Sequence, residues 1–194
     1  MPVYVITSLK GGVGKTTSAM YLATISSWYD RETVLIDADE EGSSLSWAAH
    51  AEDLPFKVVK AERDKLLQQV KAFKDKGLNV VIDTPPNNRE VLSRSSMIAD
   101  YIIVPVIPTG LDIDRMMPSL LLLRDIQAVK EVEIVILLNR FDTRKRLAQE
   151  ALAALESYPV LETRVRDLTR YEQSFGTTPT YIFEYLRVWT ELHG

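Results

Sequence analysis

The stretch "SLKGGVGKTT", Ser8–Thr17, decides how the chain folds. Its close, Gly14-Lys15-Thr16, fits the end of the phosphate-binding pattern G-x-x-x-x-G-K-[ST]. The leading glycine of that pattern would stand at position 9, where the chain has Leu9, and a second lysine, Lys10, precedes Gly11 and Gly12. Before the loop, "VYVITSL" (Val3–Leu9) reads as a short buried strand. After it, "TTSAMYLATISSWY" (Thr16–Tyr29) has helical spacing, with Met20, Ala23, Ile25 and Trp28 available for packing. A glycine-rich turn with an incidental lysine is the plain alternative, and the order strand, loop, helix weighs against it.

Each residue type in the loop has a physical reason to be there. Gly11, Gly12 and Gly14 let the backbone curl with its N–H groups inward and no Cβ in the way; with Val13 they form the candidate nucleotide-binding stretch. A helix opening near Lys15 adds the partial positive charge of its N-terminus. Lys15 is expected to reach β- and γ-phosphates, Thr16 to offer its hydroxyl to Mg²⁺, and Thr17 to touch the α-phosphate.

The pattern of strand and helix continues along the chain. Strands are expected at "TVLID" (Thr33–Asp37), "FKVVKA" (Phe56–Ala61), "LNVVIDTPP" (Leu78–Pro86), "YIIVPVIP" (Tyr101–Pro108) and "VEIVILLN" (Val132–Asn139), with Pro105 ending the fourth of these early. Helices are expected over Glu62–Gly77, Asp114–Lys130, Arg144–Ser157 and, after Pro179, Thr178–His193. Continuous apolar strands separated by helices argue a single-domain α/β fold over residues 1–194, with a mostly parallel central sheet covered on both faces. Ligands of such folds bind at the carboxyl ends of the strands, which places Ser8–Thr17, Asp37–Gly42, Asp83–Asn88 and Val106–Asp112 on one rim.

Composition narrows the chemistry. The 194 residues, 46% of them hydrophobic, suit one domain with a substantial core. With no cysteine, disulfides, thiol catalysis, zinc–thiolate sites and iron–sulfur clusters are excluded within the chain. A net charge of −4 does not suggest nucleic acid, although a local basic patch can act alone. No basic leader opens the sequence, and no run approaches the roughly 20 apolar residues that span a bilayer, so a soluble cytoplasmic protein is expected.

"KGGVGKTT" resembles the deviant Walker A motif of the ParA/MinD family of ATPases. The resemblance implies ATP and Mg²⁺ as cofactors and gives Lys10 the part of the family's signature lysine, crossing a dimer interface to the partner's nucleotide. Such a cation delivered in trans stabilises charge on the transferring phosphoryl group, as an arginine finger does, worth about 10³–10⁵ in rate. It also makes dimerisation depend on nucleotide. Lys10, Lys15 and Asp39 are then the catalytic candidates.

The second strand runs into "VLIDADEEGSS", where the family pattern reads D-x-D-P-Q-G. Asp37 matches the first acid, near the Mg²⁺ shell, and Asp39 the second, which positions the attacking water. Glu40 and Glu41 depart from the usual Pro-Gln and add negative charge beside the γ-phosphate. "NVVIDTPP" supplies Asp83 after an apolar run, a Walker B pattern that would hold Mg²⁺ through water. Pro85 and Pro86 stiffen the turn that follows.

By the same resemblance Asn139, ending the "IVILLN" strand, faces the adenine edge, and Pro179 in "TTPTY" (Thr177–Tyr181) lies near the ring. Asp112 matches an acid near the dimer seam. ParA-like proteins bind DNA non-specifically as ATP dimers. The candidates here are Arg140, Arg144, Lys145 and Arg146 in "NRFDTRKR" and Arg164, Arg166 and Arg170 in "ETRVRDLTR". An ordinary solvated face is the alternative for both groups. No helix-turn-helix precedes the loop, as in the short ParA class, which implies a separate centromere-binding adaptor protein and a nucleoid-associated location. The leading expectation is a DNA-partitioning ATPase. The alternatives are a MinD-like membrane-associated ATPase or the positioning of another cargo. The tail's apolar residues Ile182, Phe183, Leu186, Trp189 and Leu192 are flanked by Glu184, Arg187 and Glu191, which is not cationic, so a core-docking helix is expected there rather than a membrane anchor.

Overall fold

The computed structural model describes residues 1–194, the side chain of Arg63 excepted. Six strands, β1 (Val3–Ile6), β2 (Thr33–Asp37), β3 (Lys57–Lys60), β4 (Asn79–Asp83), β5 (Tyr101–Val106) and β6 (Glu133–Leu138), form one sheet in the order β3-β2-β4-β1-β5-β6. Every pairing is parallel. The helices are α1 (Lys15–Tyr29), α2 (Ser43–His50), α3 (Leu66–Asp75), α4 (Arg89–Ser96), α5 (Gly110–Gln127), α6 (Arg146–Ala154), α7 (Thr169–Gln173) and α8 (Phe183–His193).

Alternation along each strand splits the core in two. Val3 and Val5 of β1 face a cluster with Leu66 and Val70 of α3, Leu92 of α4, Leu123 of α5 and Ala151 of α6. Tyr4 and Ile6 face the opposite cluster, with Met20 and Ile25 of α1, Trp47 of α2, Tyr171 of α7 and Tyr185 and Val188 of α8. β1 therefore reads as a continuous apolar run because helices cover it on both sides. α8 spends its apolar face, Tyr185, Val188, Trp189 and Leu192, on this core. Among the described residues no helix is long and apolar enough to cross a membrane.

Pro105 does not end β5, which runs on to Val106. In the ladder, Thr7 N–H donates to the Ile103 carbonyl on the β1 side, while Asn139 N–H donates to the Val106 carbonyl on the β6 side. Pro105 shares the parity of Ile103, so its missing donor falls on the β1 side, beyond Ile6 where β1 has already ended. Proline inside a central strand is tolerated here because one neighbour has left.

Three helices that periodicity does not announce, α2, α4 and α7, are five to eight residues long. α2 opens directly after Gly42, which takes the left-handed conformation, φ 65°. It seats Ser44 and Trp47 in the interior and little else.

Candidate active site

β1 sits between β4 and β5, so consecutive strands are laid down to either side of it and the chain leaves β1 into a crevice at the strand ends. Gly12 and Gly14 both take positive φ, 74° and 90°, which only glycine adopts without strain. A Cβ on Gly14 would also lie 2.7 Å from Asn139 Nδ2. α1 begins at Lys15 with no side-chain cap, so its first-turn N–H groups are directed to the loop's concavity.

Lys15 is buried, and its ammonium donates to the Lys10 carbonyl at 3.3 Å, folded back over its own loop. Burial lowers its pKa, and the carboxylates of Asp83, Asp39 and Glu41 act in the opposite direction. Thr16 Oγ1 donates to Asp83 Oδ2 at 2.7 Å, and Ser44 Oγ donates to the same oxygen at 2.8 Å. The other oxygen, Oδ1, is buried and has no hydrogen-bond partner among the described residues. Burial is the main reason the Asp83 carboxyl is pushed up to about 6, with the two hydroxyls pulling it down.

That arrangement fits a hydrated divalent cation. One oxygen of a buried carboxylate is bonded to the hydroxyl of Thr16, the first-turn residue after the phosphate loop, and the other oxygen of the same group has no partner among the described residues. Among the described residues no cluster of three or more His, Cys, Asp or Glu side chains makes a cage, so such an ion would need nucleotide oxygens and water to complete its shell, as Mg²⁺ prefers.

Asp37 has another occupation. Its Oδ1 accepts from Asp39 N–H at 3.1 Å and its Oδ2 from Leu45 N–H at 2.9 Å, so both oxygens fold the loop that joins β2 to α2. Asp37 is thus bonded into its own loop, and Asp83 is the acid bonded to Thr16. Asp39 is half-buried, and its Oδ1 accepts from Glu41 N–H. Next to this loop a cavity of about 620 Å³ opens between Asp39–Glu41 and Pro85–Arg94.

Lys10, the residue expected to reach another copy, is ion-paired within the chain to Asp112, which opens α5 and is 4% exposed. Gly11 faces Pro86 across the same rim, and Asn87 N–H donates to the Leu9 carbonyl at 3.2 Å, tying the loop after β4 to the phosphate loop. Asn87 is one of two non-glycine residues with positive φ; the other is Arg140.

On the other side of the loop Asn139 Nδ2 donates to the Val13 carbonyl at 2.9 Å and, at 3.4 Å, to Ser18 Oγ, whose partner is Tyr185 at 3.1 Å. Asn139 Oδ1 is buried and has no partner among the described residues. A narrow cleft here is lined by Gly14, Thr17, Asn139, Val165, Leu168 and Tyr171. Pro179 is not on it. The segment after α6 runs beside β6, with Val165 N–H donating to the Leu138 carbonyl and Phe141 N–H to the Val165 carbonyl, which brings Val165–Leu168 against Asn139. The Pro179 loop is drawn toward α2 instead, where Trp47 Nε1 donates to the Thr177 carbonyl at 2.7 Å and Thr178 Oγ1 to the Asp53 carbonyl. Ser44, Ser18, Tyr185 and Val165–Leu168 are the site residues that motif spacing does not reveal.

The basic residues toward the C-terminus are mostly engaged. Arg140 pairs with Glu172, Arg144 with Asp142, Lys145 with Asp167, Arg146 with Glu150 and Arg166 with Glu184. Arg164 lies over the Phe141 ring at 4.8 Å and Arg170 over the Tyr181 ring at 4.0 Å. The Asp142 carboxyl, bonded by the Arg144 guanidinium and backbone, falls to about 2.

Known proteins resemble this chain in sequence and in fold. The chain is 36% identical over 106 residues to the maintenance of carboxysome distribution protein A of Gloeobacter kilaueensis, covering 54% of this chain and 48% of that protein. It is 29% identical over 115 residues to the protein ParA of Rhizobium radiobacter, covering 58% and 51%. It thus spans about half the length of the curated relatives it matches. The fold superposes on a plasmid partition protein of Borrelia burgdorferi bound to AMPPNP with a TM-score of 0.79 at 19% identity, covering 99% of this chain and 98% of that one. Residues 4–176 match the CobQ/CobB/MinD/ParA nucleotide-binding domain, and with most of its length inside that match the chain belongs to this family.

Proposed function

We propose that the chain is a Mg²⁺-dependent, ATP-dimerised positioning ATPase of the ParA type. One observation carries the reading: Asp83 is buried beneath a glycine cradle, takes the Thr16 hydroxyl on one oxygen, and has the other unpartnered. Lys15 swings from the Lys10 carbonyl to the β- and γ-phosphates, while the amides of Gly11–Gly14 and the first turn of α1 hold the remaining oxygens. Thr16 and Asp83 would hold the magnesium ion, which would supply charge neutralisation on the phosphates. Asp37 acts one step out by shaping the loop that carries Asp39, and Asp39 orients the attacking water. Asn139 Oδ1 accepts from the exocyclic amine of adenine. Lys10 leaves Asp112 to reach the nucleotide of a second copy, so that ATP joins the two.

In this reading the ATP dimer binds DNA without sequence preference through Arg140, Arg144, Lys145 and Arg146, with Arg164, Arg166 and Arg170 adjoining. Exposed ion pairs are individually weak, so phosphate oxygens compete for these side chains on nearly equal terms. A separate centromere-binding adaptor stimulates hydrolysis and releases the dimer. A second reading keeps the ATPase cycle and changes the cargo; the 36% identity to a protein named for carboxysome distribution favours it. α8 buries Tyr185, Val188, Trp189 and Leu192 in the core, so that face is not offered to a membrane.

The test is a titration of a fluorescent ATP analogue with and without Mg²⁺, followed by sedimentation and by DNA mobility shifts at two salt concentrations. Mg²⁺-dependent binding, ATP-dependent dimers and salt-sensitive DNA retardation are expected. A protein that ignores Mg²⁺–ATP would refute the reading at its base, and one that dimerises but ignores DNA at low salt would favour the other cargo.

A further inference from the structure

α2 joins two parts of the molecule that the sequence keeps apart. Its first turn carries Ser44, fully buried, whose hydroxyl donates to Asp83 Oδ2 beside that of Thr16. The next residue, Leu45, donates its N–H to Asp37, the acid that also receives the N–H of Asp39. At its far end Trp47 is bonded to the Thr177 carbonyl, and Gly176 packs so close that a Cβ there would meet His50 Cβ at 2.9 Å. α2 is therefore pinned at one end to both rim acids and at the other to the loop before α8.

Resting on the nucleotide reading above, we propose that Ser44 is a positioning residue for the divalent-cation site. Its hydroxyl, with that of Thr16, fixes the Asp83 carboxylate through Oδ2 in the rotamer that leaves Oδ1 buried and without a partner among the described residues, and ties that carboxylate to the loop bearing Asp39. Three features carry this. Ser44 and Thr16 share one Asp83 oxygen, so the carboxylate cannot turn without breaking two bonds of 2.7–2.8 Å. The oxygen left over is buried without a partner among the described residues, a costly arrangement unless something occupies it during function. Ser44 also stands five residues after Asp39, on the segment that Asp37 holds through the N–H groups of Asp39 and Leu45. Ser43, on the same turn but half-buried, is the internal control.

The experiment compares wild type, Ser44→Ala and Ser43→Ala by titrating a fluorescent ATP analogue in EDTA and then titrating Mg²⁺ into the nucleotide-saturated protein. For Ser44→Ala the affinity in EDTA should stay within about twofold, while the Mg²⁺ midpoint rises about 10- to 100-fold, the usual effect of removing a partner behind a metal ligand. A purely structural serine would weaken both measurements together. Trp47 fluorescence, read in a background with Trp28→Phe and Trp189→Phe, gives a readout free of catalysis: the change on Mg²⁺ addition should be reduced by Ser44→Ala and retained with Ser43→Ala. If wild type responds to Mg²⁺ and Ser44→Ala shows the wild-type midpoint, or loses EDTA affinity in parallel, the proposal falls while the nucleotide reading stands. If wild type shows no Mg²⁺ response at all, the nucleotide reading itself has failed and Ser44 with it.

Discussion

The two ends of the crevice use charge in opposite ways. At the phosphate loop Lys15 and Asp83 are buried and incompletely satisfied, Lys15 holding only a carbonyl and Asp83 keeping one oxygen unpartnered among the described residues. At the arginine end most cations are exposed and already paired, Arg144 with Asp142 and Arg146 with Glu150. The difference teaches that the number of charges says little about function, whereas the cost of holding a charge where it stands says a good deal. A buried, half-satisfied group is kept at the expense of stability, and what repays it is a ligand. An exposed ion pair costs almost nothing and needs no such explanation.

Breaking the buried side should have the largest effects. Lys15→Ala should weaken ATP binding about 100-fold or more, since losing one partner of a buried charge contact costs about 2–5 kcal/mol; near-wild-type affinity by titration would erase the contrast. Asp83→Asn should abolish Mg²⁺-dependent hydrolysis and change how stability depends on pH. The folded-state carboxyl titrates at about 6 against 3.8 unfolded, so within that window the folded chain keeps a proton the unfolded chain has released. Stability contributed by the protonated acid is whole below 3.8 and is lost as pH rises through about 6. Denaturation at pH 4 and pH 7.5 without nucleotide should show wild type losing about 2 kcal/mol relative to Asp83→Asn between the two. Parallel pH curves for the two proteins would mean that the acid is not strained.

Smaller effects sharpen the comparison. Lys10→Ala should retain ATP binding within a few-fold and lose ATP-dependent dimers in sedimentation velocity; dimers that persist would confine this lysine to its pair with Asp112. At the arginine end, Arg166 and Arg146 should part company. Arg166 pairs with the buried Glu184, which also accepts from Tyr171, so Arg166→Ala should lower the thermal midpoint measurably. Arg146→Ala should leave the midpoint within about 1 °C, and if the patch meets DNA should reduce the salt slope of binding by about one.

The sheet and the phosphate loop were legible because their signals are local: apolar runs, three glycines and a Lys-Thr pair within a dozen residues. The short helices were not, because α2 buries little more than Ser44 and Trp47 and so has no periodicity to read. The bonds from the Asp39 and Leu45 amides to Asp37 were hidden for a related reason; they depend on the turn at Gly42, which the spacing of acids does not encode. Pro179 was misplaced because its loop follows Trp47, over a hundred residues earlier, rather than the strand it succeeds. The pairing of these arginines was not legible because partners such as Glu172, thirty-two residues beyond Arg140, are invisible to a scan of neighbours.

Pro105 has a consequence for the mouth of the crevice. With any other residue at that position, an amide hydrogen would stand where the Thr7 carbonyl could take it, and β1 and β5 could close one more rung. The imino ring withholds that rung. The sheet does not zip onward into Ser8 and Leu9, and after Thr7 the chain leaves the ladder to form the glycine loop.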